Sequence, residues 1–326
     1  MASRFRGACV VGPSPFVTIT VEAGTSGPEV HVHAGGQGFW VARMLARLGV
    51  PVAFCAALGG ETGRVLRVLV ESEGIVLRHV QASAANGTYV HDRRGGDREP
   101  LVETESPLLT RHEVDELYGS ALTTGLEMGL AVLAGTAHPS GRLAETVPPD
   151  FYRRLAGDLR ANGAVVVADL SGPQLAAALE GGLDILKLNT RELLEGGFGA
   201  GETDEELIAG VRKLREAGAR HVLLTRAGDP ALAFVDDRLL EIHPPRFEAL
   251  DHRGPGDTMT AAIAAALTKG LDVEAALRLA AAAGALNVTR RGLGTGRRED
   301  IERLVPLVRI RELTPKGEPA PAPRRA

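Results

Sequence analysis

At 326 residues, 44% of them hydrophobic and 24% charged, the chain is long enough for one large α/β domain or two smaller ones with a sizeable core. A formal charge of −4, from 37 basic and 41 acidic residues, sets up no field for binding nucleic acid. Two cysteines, Cys9 and Cys55, exclude a disulfide framework, and no apolar run is long enough for a bilayer span or a secretion signal, so a cytoplasmic protein without membrane contact is expected.

In chain order, the apolar run 7–12 (GACVVG) predicts a buried strand, and 17–33 follows with VTITVEA and EVHVH, which alternate as half-exposed strands do. Apolar residues at three- and four-residue spacing predict helices over 39–48 and 62–73, on either side of a strand at 52–57. The segment 88–103 (TYVHDRRGGDREPLVE) alternates again around an RRGGD turn. Buried strands are then expected at 130–134, 164–168 (AVVVA), 184–186 and 221–225 (HVLLT), with helices at 149–161 and 204–216. Alanine-rich helices over 257–269 and 273–289 close the pattern, and 314–326 (TPKGEPAPAPRRA) has the composition of a disordered tail. Strand and helix in repeated alternation need crossover connections, hence a mostly parallel central sheet with helices on both faces. The two alternating segments predict a small β flap beside it. No stretch reads as a linker, so 1–313 is expected to be one domain with flap segments at about 15–34 and 86–104.

No glycine precedes a lysine anywhere, which excludes the G-x-x-x-x-G-K-[ST] phosphate loop, and no G-x-G-x-x-G follows an early strand. The HVH of His31 and His33 is better explained by alternate strand positions than by a metal site, since no third ligand accompanies it. The most informative segment is DHRGPGDTMTAAIAAAL, starting at Asp251. A glycine-rich turn leads into an apolar helix whose first amides have no intrahelical partner, an arrangement that attracts anions. Asp257 in that turn either accepts a proton from an attacking hydroxyl or serves as an ordinary helix-start residue, and the segment alone leaves both open. Polar residues recur just past strand ends elsewhere: DLSG from Asp169, KLNTREL from Lys187, TRAG from Thr225. Such ends are where α/β sheets bind ligands.

Together with GGQGFWVARMLARLG from Gly35 and PPDFYRRL from Pro148, these segments resemble the PfkB (ribokinase-like) carbohydrate kinase family, most of all its 1-phosphofructokinase and tagatose-6-phosphate kinase branch. They are similar to that branch's GGKGxNVARxLxxLG, P-x-x-x-Y, DTSG, KPNxxEL and GAGD, in order, over positions 7 to 307. The resemblance implies a ribokinase-like fold in which the flap is a β lid hinged at Gly35 and Gly36. It implies ATP and Mg2+, Asp257 as the base, and an anion hole from Gly254, Gly256 and the Asp257 N–H. Lys187, Thr225 and Gly228 would lie near the ATP phosphates, Asn189 and Glu192 would hold phosphate and magnesium, Glu192 through water, and Gly284 and Asn287 would approach the adenine.

Departures gather at the end expected to bind a carbohydrate-like acceptor. Phe16 stands where the branch has a sugar-binding aspartate, Gln37 replaces the lysine of GGKG, Trp40 the asparagine of GxNVAR, and Tyr89 an arginine that grips a substrate phosphate. These changes read either as a flatter, more apolar acceptor pocket or, for Phe39 and Trp40, as ordinary helix core. Pro255 in place of the GAGD alanine removes one N–H from the turn. The expected activity is ATP-dependent phosphorylation of a sugar or sugar-phosphate alcohol. Its rivals are a nucleoside-type kinase and a catalytically silent binding homologue. Open lid edges would allow a homodimer, a point on which the sequence is neutral.

Overall fold

Near-continuous runs of Val, Ala and Leu need cover on both faces, and here they form the middle of a ten-stranded sheet. The structure, a computed structural model, describes residues 4–135, 146–250, 254–290 and 294–314. Its elements begin with β1 (Ala8–Val11), β2 (Phe16–Ala23), β3 (Pro28–Gly35), α1 (Gln37–Arg47), β4 (Val52–Gly59), α2 (Gly60–Glu71) and β5 (Val76–Ala82). Next come β6 (Thr88–Asp92), β7 (Glu99–Thr104), α3 (Arg111–Met128), β8 (Leu130–Ala134), α4 (Pro149–Ala161), β9 (Val165–Asp169) and α5 (Gly172–Gly181). They are followed by β10 (Leu183–Asn189), α6 (Thr190–Glu195), α7 (Asp204–Glu216), β11 (Ala219–Arg226), β12 (Asp229–Val235) and β13 (Arg238–His243). The last are α8 (Pro255–Thr268), α9 (Val273–Asn287), α10 (Arg298–Leu304) and β14 (Arg309–Leu313).

The large sheet has the order β14-β13-β12-β11-β10-β9-β8-β1-β4-β5. From β11 to β5 every neighbouring pair is parallel, as the crossover helices require. An antiparallel ribbon of β12, β13 and β14 extends the other edge. Strand residues alternate between two cores: Val10, Val132, Val167 and Ile185 pack with α1, α8 and α9, while Val11, Leu133, Val166 and Leu186 pack with α3, α4, α5 and α7. Helices α8 and α9 pack through small side chains, and Gly284 makes room for Met259, whose Cγ a Cβ there would meet at 2.8 Å.

A second, four-stranded sheet has the order β3-β2-β6-β7. The two alternating segments supply all four strands, with β2 and β6 parallel between two antiparallel hairpin partners. Val17 and Ala34 turn inward to the core, and Phe16, Thr18 and Tyr89 share the opposite face.

The expected strands and helices are present with ends moved by at most three residues. Unanticipated are β5, α5, α6, α10, the β12–β14 ribbon and α3, whose inward residues include Glu113, Thr124 and Gly125 and so leave little apolar period to read. A reciprocal cap fixes its start: Thr110 Oγ accepts from the Glu113 N–H at 3.3 Å, and Glu113 Oε2 from the Thr110 N–H at 2.7 Å. Beyond Thr314, the tail expected over 314–326 lies outside the described residues. No described helix is long and apolar enough to cross a membrane.

Candidate functional site

The same two-residue period that buries Val167 and Ile185 beneath α8 brings the next residues on that face, Asp169 and Lys187, to the N-terminal end of α8. Both are almost fully enclosed, and Lys187 Nζ lies 3.0 and 3.3 Å from the two Asp169 oxygens. Burial alone would lower the ammonium's pKa. Asp169 first, then Glu192 and Asp257, more than reverse that and hold it above the usual lysine range. Thr260, one turn into α8, donates to Asp169 Oδ2 at 2.7 Å.

Gly254 opens α8 with φ 80°, a left-handed conformation that favours glycine, and Pro255 occupies the first helical position. The Thr258 N–H is bonded to Gly254 O at 3.0 Å, so the Gly256 and Asp257 amides precede the first intrahelical bond. Gly256 has a local reason to lack a side chain: its Cβ would fall 2.5 Å from Lys187 Nζ. The lysine thus presses its charge against the back of the turn. Asp257 is only partly exposed, and protein surrounds its carboxyl. Desolvation first, then Asp169 and Glu192, push that carboxyl up to about 7, against the opposing pull of Lys187 and of a hydrogen bond from Gln37. Gln37 Oε1 in turn accepts from the Gly135 N–H at 2.8 Å, so one amide ties α1 to the end of β8 and to Asp257.

The residues expected at the nucleotide divide into two groups. Asn189 and Glu192 cap α6 reciprocally, at 2.9 Å (Glu192 N–H to Asn189 Oδ1) and 2.8 Å (Asn189 N–H to Glu192 Oε2). Burial raises the Glu192 carboxyl, with Lys187 opposing. Thr225 ends β11 and donates to Leu188 O at 3.3 Å, and Gly228 lies in the following turn with open space around its Cα. These stand beside Lys187 along adjacent strand ends. Gly284 and Asn287 behave differently: the first accommodates Met259, and Asn287, 1% exposed, accepts from Thr258 Oγ at 3.0 Å. The contacts described for these two join α9 to α8.

Where the acceptor is expected, a small cleft is lined by Ser14, Pro15, Gly36, Gln37, Phe39 and Gly135, among others. Gly36 starts α1 at φ 106°, and a Cβ on Gly35 would run into the Phe16 ring at 2.5 Å, so Phe16 lies across this glycine pair. Tyr89 is buried opposite Thr18, its ring stacked on His91 at 4.9 Å. Trp40 differs from the pocket reading. It packs partly buried against the core with its ring 5.1 Å from Phe39, and the aromatics that line the cleft are Phe39 and Phe54. Helix geometry explains this, since adjacent residues point about 100° apart. Sequence reasoning missed Asp169 and Thr260 as site residues. The available signal was ILKLN, a lysine inside a buried strand, which calls for a carboxylate nearby.

Residues 7–300 match the model for the pfkB family carbohydrate kinases. The chain is 28% identical over 282 residues to a 1-phosphofructokinase of Bacillus subtilis, covering 86% of this chain and 89% of that protein. It is 28% identical over 262 residues to a D-tagatose-1-phosphate kinase of Bacillus licheniformis, covering 79% and 83%. The fold is similar to the crystal structure of a putative phosphofructokinase from Staphylococcus aureus, with a TM-score of 0.78, 22% identity, and coverage of 94% of this chain and 99% of that one. A turn that gathers orphan amides, a buried lysine and a carboxyl at the strand ends is thus found in a chain that belongs to the pfkB family of carbohydrate kinases, enzymes of ATP-dependent phosphotransfer to a sugar-type alcohol.

Proposed function

We propose that Asp257 takes the proton from the acceptor alcohol while the Gly256 and Asp257 amides, backed by Lys187, receive the γ-phosphoryl group of ATP. The alcohol oxygen forms the new bond to the γ-phosphorus, the bond from that phosphorus to the ADP oxygen breaks, and the proton leaves through Asp257 to solvent. One observation carries the reading: a carboxyl pushed up to about 7 adjoins helix-start amides that no backbone group among the described residues uses. A base with that affinity is half ionised at neutral pH and still strong enough to accept the proton.

ATP would lie over the Thr225–Gly228 turn and the start of α8. The donor set suits Mg2+ held through water. One Glu192 oxygen is committed to the Asn189 N–H, and the carboxylate keeps a second oxygen for a hydration water. Bound there, the metal would offset charge on the transferring phosphates. Glu192 then orients that hydration shell, and Lys187 and the α8 amides supply the fixed positive side of the cleft. ATP as donor makes the cytoplasm the natural compartment.

The second sheet would close over the acceptor as a lid, turning at Gly35–Gly36, and exclude water from the transfer. Along the face that Val17 and Ala34 share, the sheet carries an apolar rung, Val32–Ile19–Val90–Val102, with Ile19 packed on the core and the rung's ends, Val32 and Val102, 42% and 51% exposed. A second copy of the same lid is the occupant this surface fits, because β3 and β7 offer open edges on the same sheet.

The acceptor is a sugar or sugar phosphate, and ADP release measured across sugars, sugar phosphates and nucleosides tests this. Stimulation by a member of the first two groups is expected. A nucleoside-type acceptor is the second reading. It is favoured by the cleft itself, whose lining among the described residues is neutral and includes Phe39. Stimulation by nucleosides alone would select it.

A further inference from the structure

Thr260 lies in TMTAAIAAAL, a stretch that reads as plain helix core, and it is 0% exposed. Its hydroxyl is 2.7 Å from Asp169 Oδ2 and 3.1 Å from Gly256 O. A hydroxyl has one proton to give, and the nearer, charged oxygen is the stronger acceptor. Asp169, 1% exposed, therefore receives bonds from two sides: Thr260 from above, and Lys187 from the neighbouring strand at 3.0 Å. Lys187 has four flexible bonds and three carboxylates within its electrostatic reach, Asp169, Glu192 and Asp257. Which of them it serves depends on which is fixed. Glu192 is held by its own helix cap and Asp257 by Gln37. Thr260 fixes the third, and the ammonium comes to rest behind Gly256, where a Cβ would be only 2.5 Å away.

We propose that Thr260 is a positioning residue for phosphoryl transfer: it anchors Asp169, and Asp169 seats the Lys187 ammonium behind the amides of the α8 turn. The inference rests on the reading that this turn receives the transferring group. A cation fixed behind the amides adds to their field without having to move during the reaction, which is the condition under which such groups lower a barrier. A threonine here has no packing advantage over valine, which has the same shape. Only the hydroxyl distinguishes them.

Thr260→Val keeps the shape and removes the hydroxyl, while Thr260→Ser keeps the hydroxyl and loses a methyl. The valine variant is expected to lose about 10-fold in kcat with KM for ATP within about 3-fold, and the serine variant to stay within about 2-fold of the parent. The chain has only four lysines, so 15N-lysine labelling gives a second readout, with Lys187→Met identifying the Lys187 resonance. An enclosed, paired ammonium exchanges its protons slowly enough to give a 1H–15N signal, which should persist in the serine variant and vanish in the valine one. Parental kcat with an unchanged Lys187 signal in Thr260→Val would overturn the proposal. A serine variant as impaired as the valine one would overturn it too, by making the methyl contact responsible. The role of Asp257 is judged separately: if Asp257→Asn kept its turnover, that reading would fall, while the Lys187 signal in the Thr260 variants would still decide the positioning role.

Discussion

The regions proposed to hold the phosphates and the acceptor are built from different materials. At the ends of β9 and β10, charged groups are enclosed and each is bonded to another: Lys187 to Asp169, Asp169 to Thr260, Glu192 to the backbone of Asn189. At the mouth under the second sheet, the surroundings are glycines and rings, with Phe16 across Gly35 and Tyr89 against His91. A phosphoryl donor presents the same charges in every turnover, so fixed charges and backbone amides suit it, and their enclosure strengthens them. An acceptor alcohol is recognised by shape, which neutral walls can change without disturbing the transfer chemistry. The contrast teaches that perturbing the first end should strike kcat, while perturbing the second should strike acceptor choice.

The sharpest way to break this division is at Asp257. Asp257→Asn keeps the size and removes the base. Turnover should fall by roughly 10²–10⁴-fold, with ATP affinity retained, as read by ADP release and nucleotide titration. In the parent, activity should rise with pH through about 7 as the carboxyl ionises. Stability should move the opposite way. A carboxyl whose folded pKa lies above its unfolded value of about 3.9 favours the fold below that pH, and its contribution is lost as pH rises through about 7. The asparagine variant should therefore be more stable than the parent at pH 8, by about 1–3 kcal/mol once screening through the cleft is allowed for, and the gap should close toward pH 4. Denaturant melts at both pH values check this. A gap independent of pH would mean the carboxyl is not strained in the fold.

Gly256→Ala asks whether the close approach of Lys187 matters. The new Cβ must displace an ammonium 2.5 Å away that Asp169 holds in place. A loss of about 10-fold or more in kcat is expected, with the KM for the acceptor little changed. If the KM for the acceptor moved instead, the two ends of the cleft would not be separable in the way proposed.

The fold was legible wherever burial leaves a plain mark. Strands covered on both faces must be apolar throughout, so β1, β4, β8 and β9 stand out as GACVVG, VAFCAA, LAVLA and AVVVA. Alternation gave away the second sheet for the complementary reason, that one of its faces stays partly wet. The turn before α8 was visible because Gly-Pro-Gly-Asp combines a left-handed position, a helix-starting proline and an acid in four residues. Contacts between distant segments leave no local mark. Nothing in AVVVAD or TMTAA announces that Asp169 and Thr260 meet, 91 residues apart. Gly284 and Asn287 were named through the family resemblance alone, and their described partners on α8, Met259 and Thr258, left no mark in the sequence. Trp40 drew attention by standing where the resembling branch has an asparagine, while Phe39 beside it lines the cleft.

The mildest change sharpens the account of the α8 turn. Pro255 supplies no N–H, which would matter if residue 255 had to donate to the moving phosphoryl group. It occupies the first helical position, where the N–H has no helical acceptor, and the first true helix bond, from Thr258 to Gly254 O at 3.0 Å, does not involve it. Pro255→Ala would add an amide at the edge of the anion site and free the unfolded chain by about 0.4–1 kcal/mol of conformational entropy. Turnover should stay level or rise, and the thermal midpoint should drop by about 1 °C. A large fall in kcat with the fold intact would mean that the proline ring, by fixing φ just after the left-handed Gly254, aims the Gly256 and Asp257 amides. The turn would then owe its strength to rigidity more than to its number of donors.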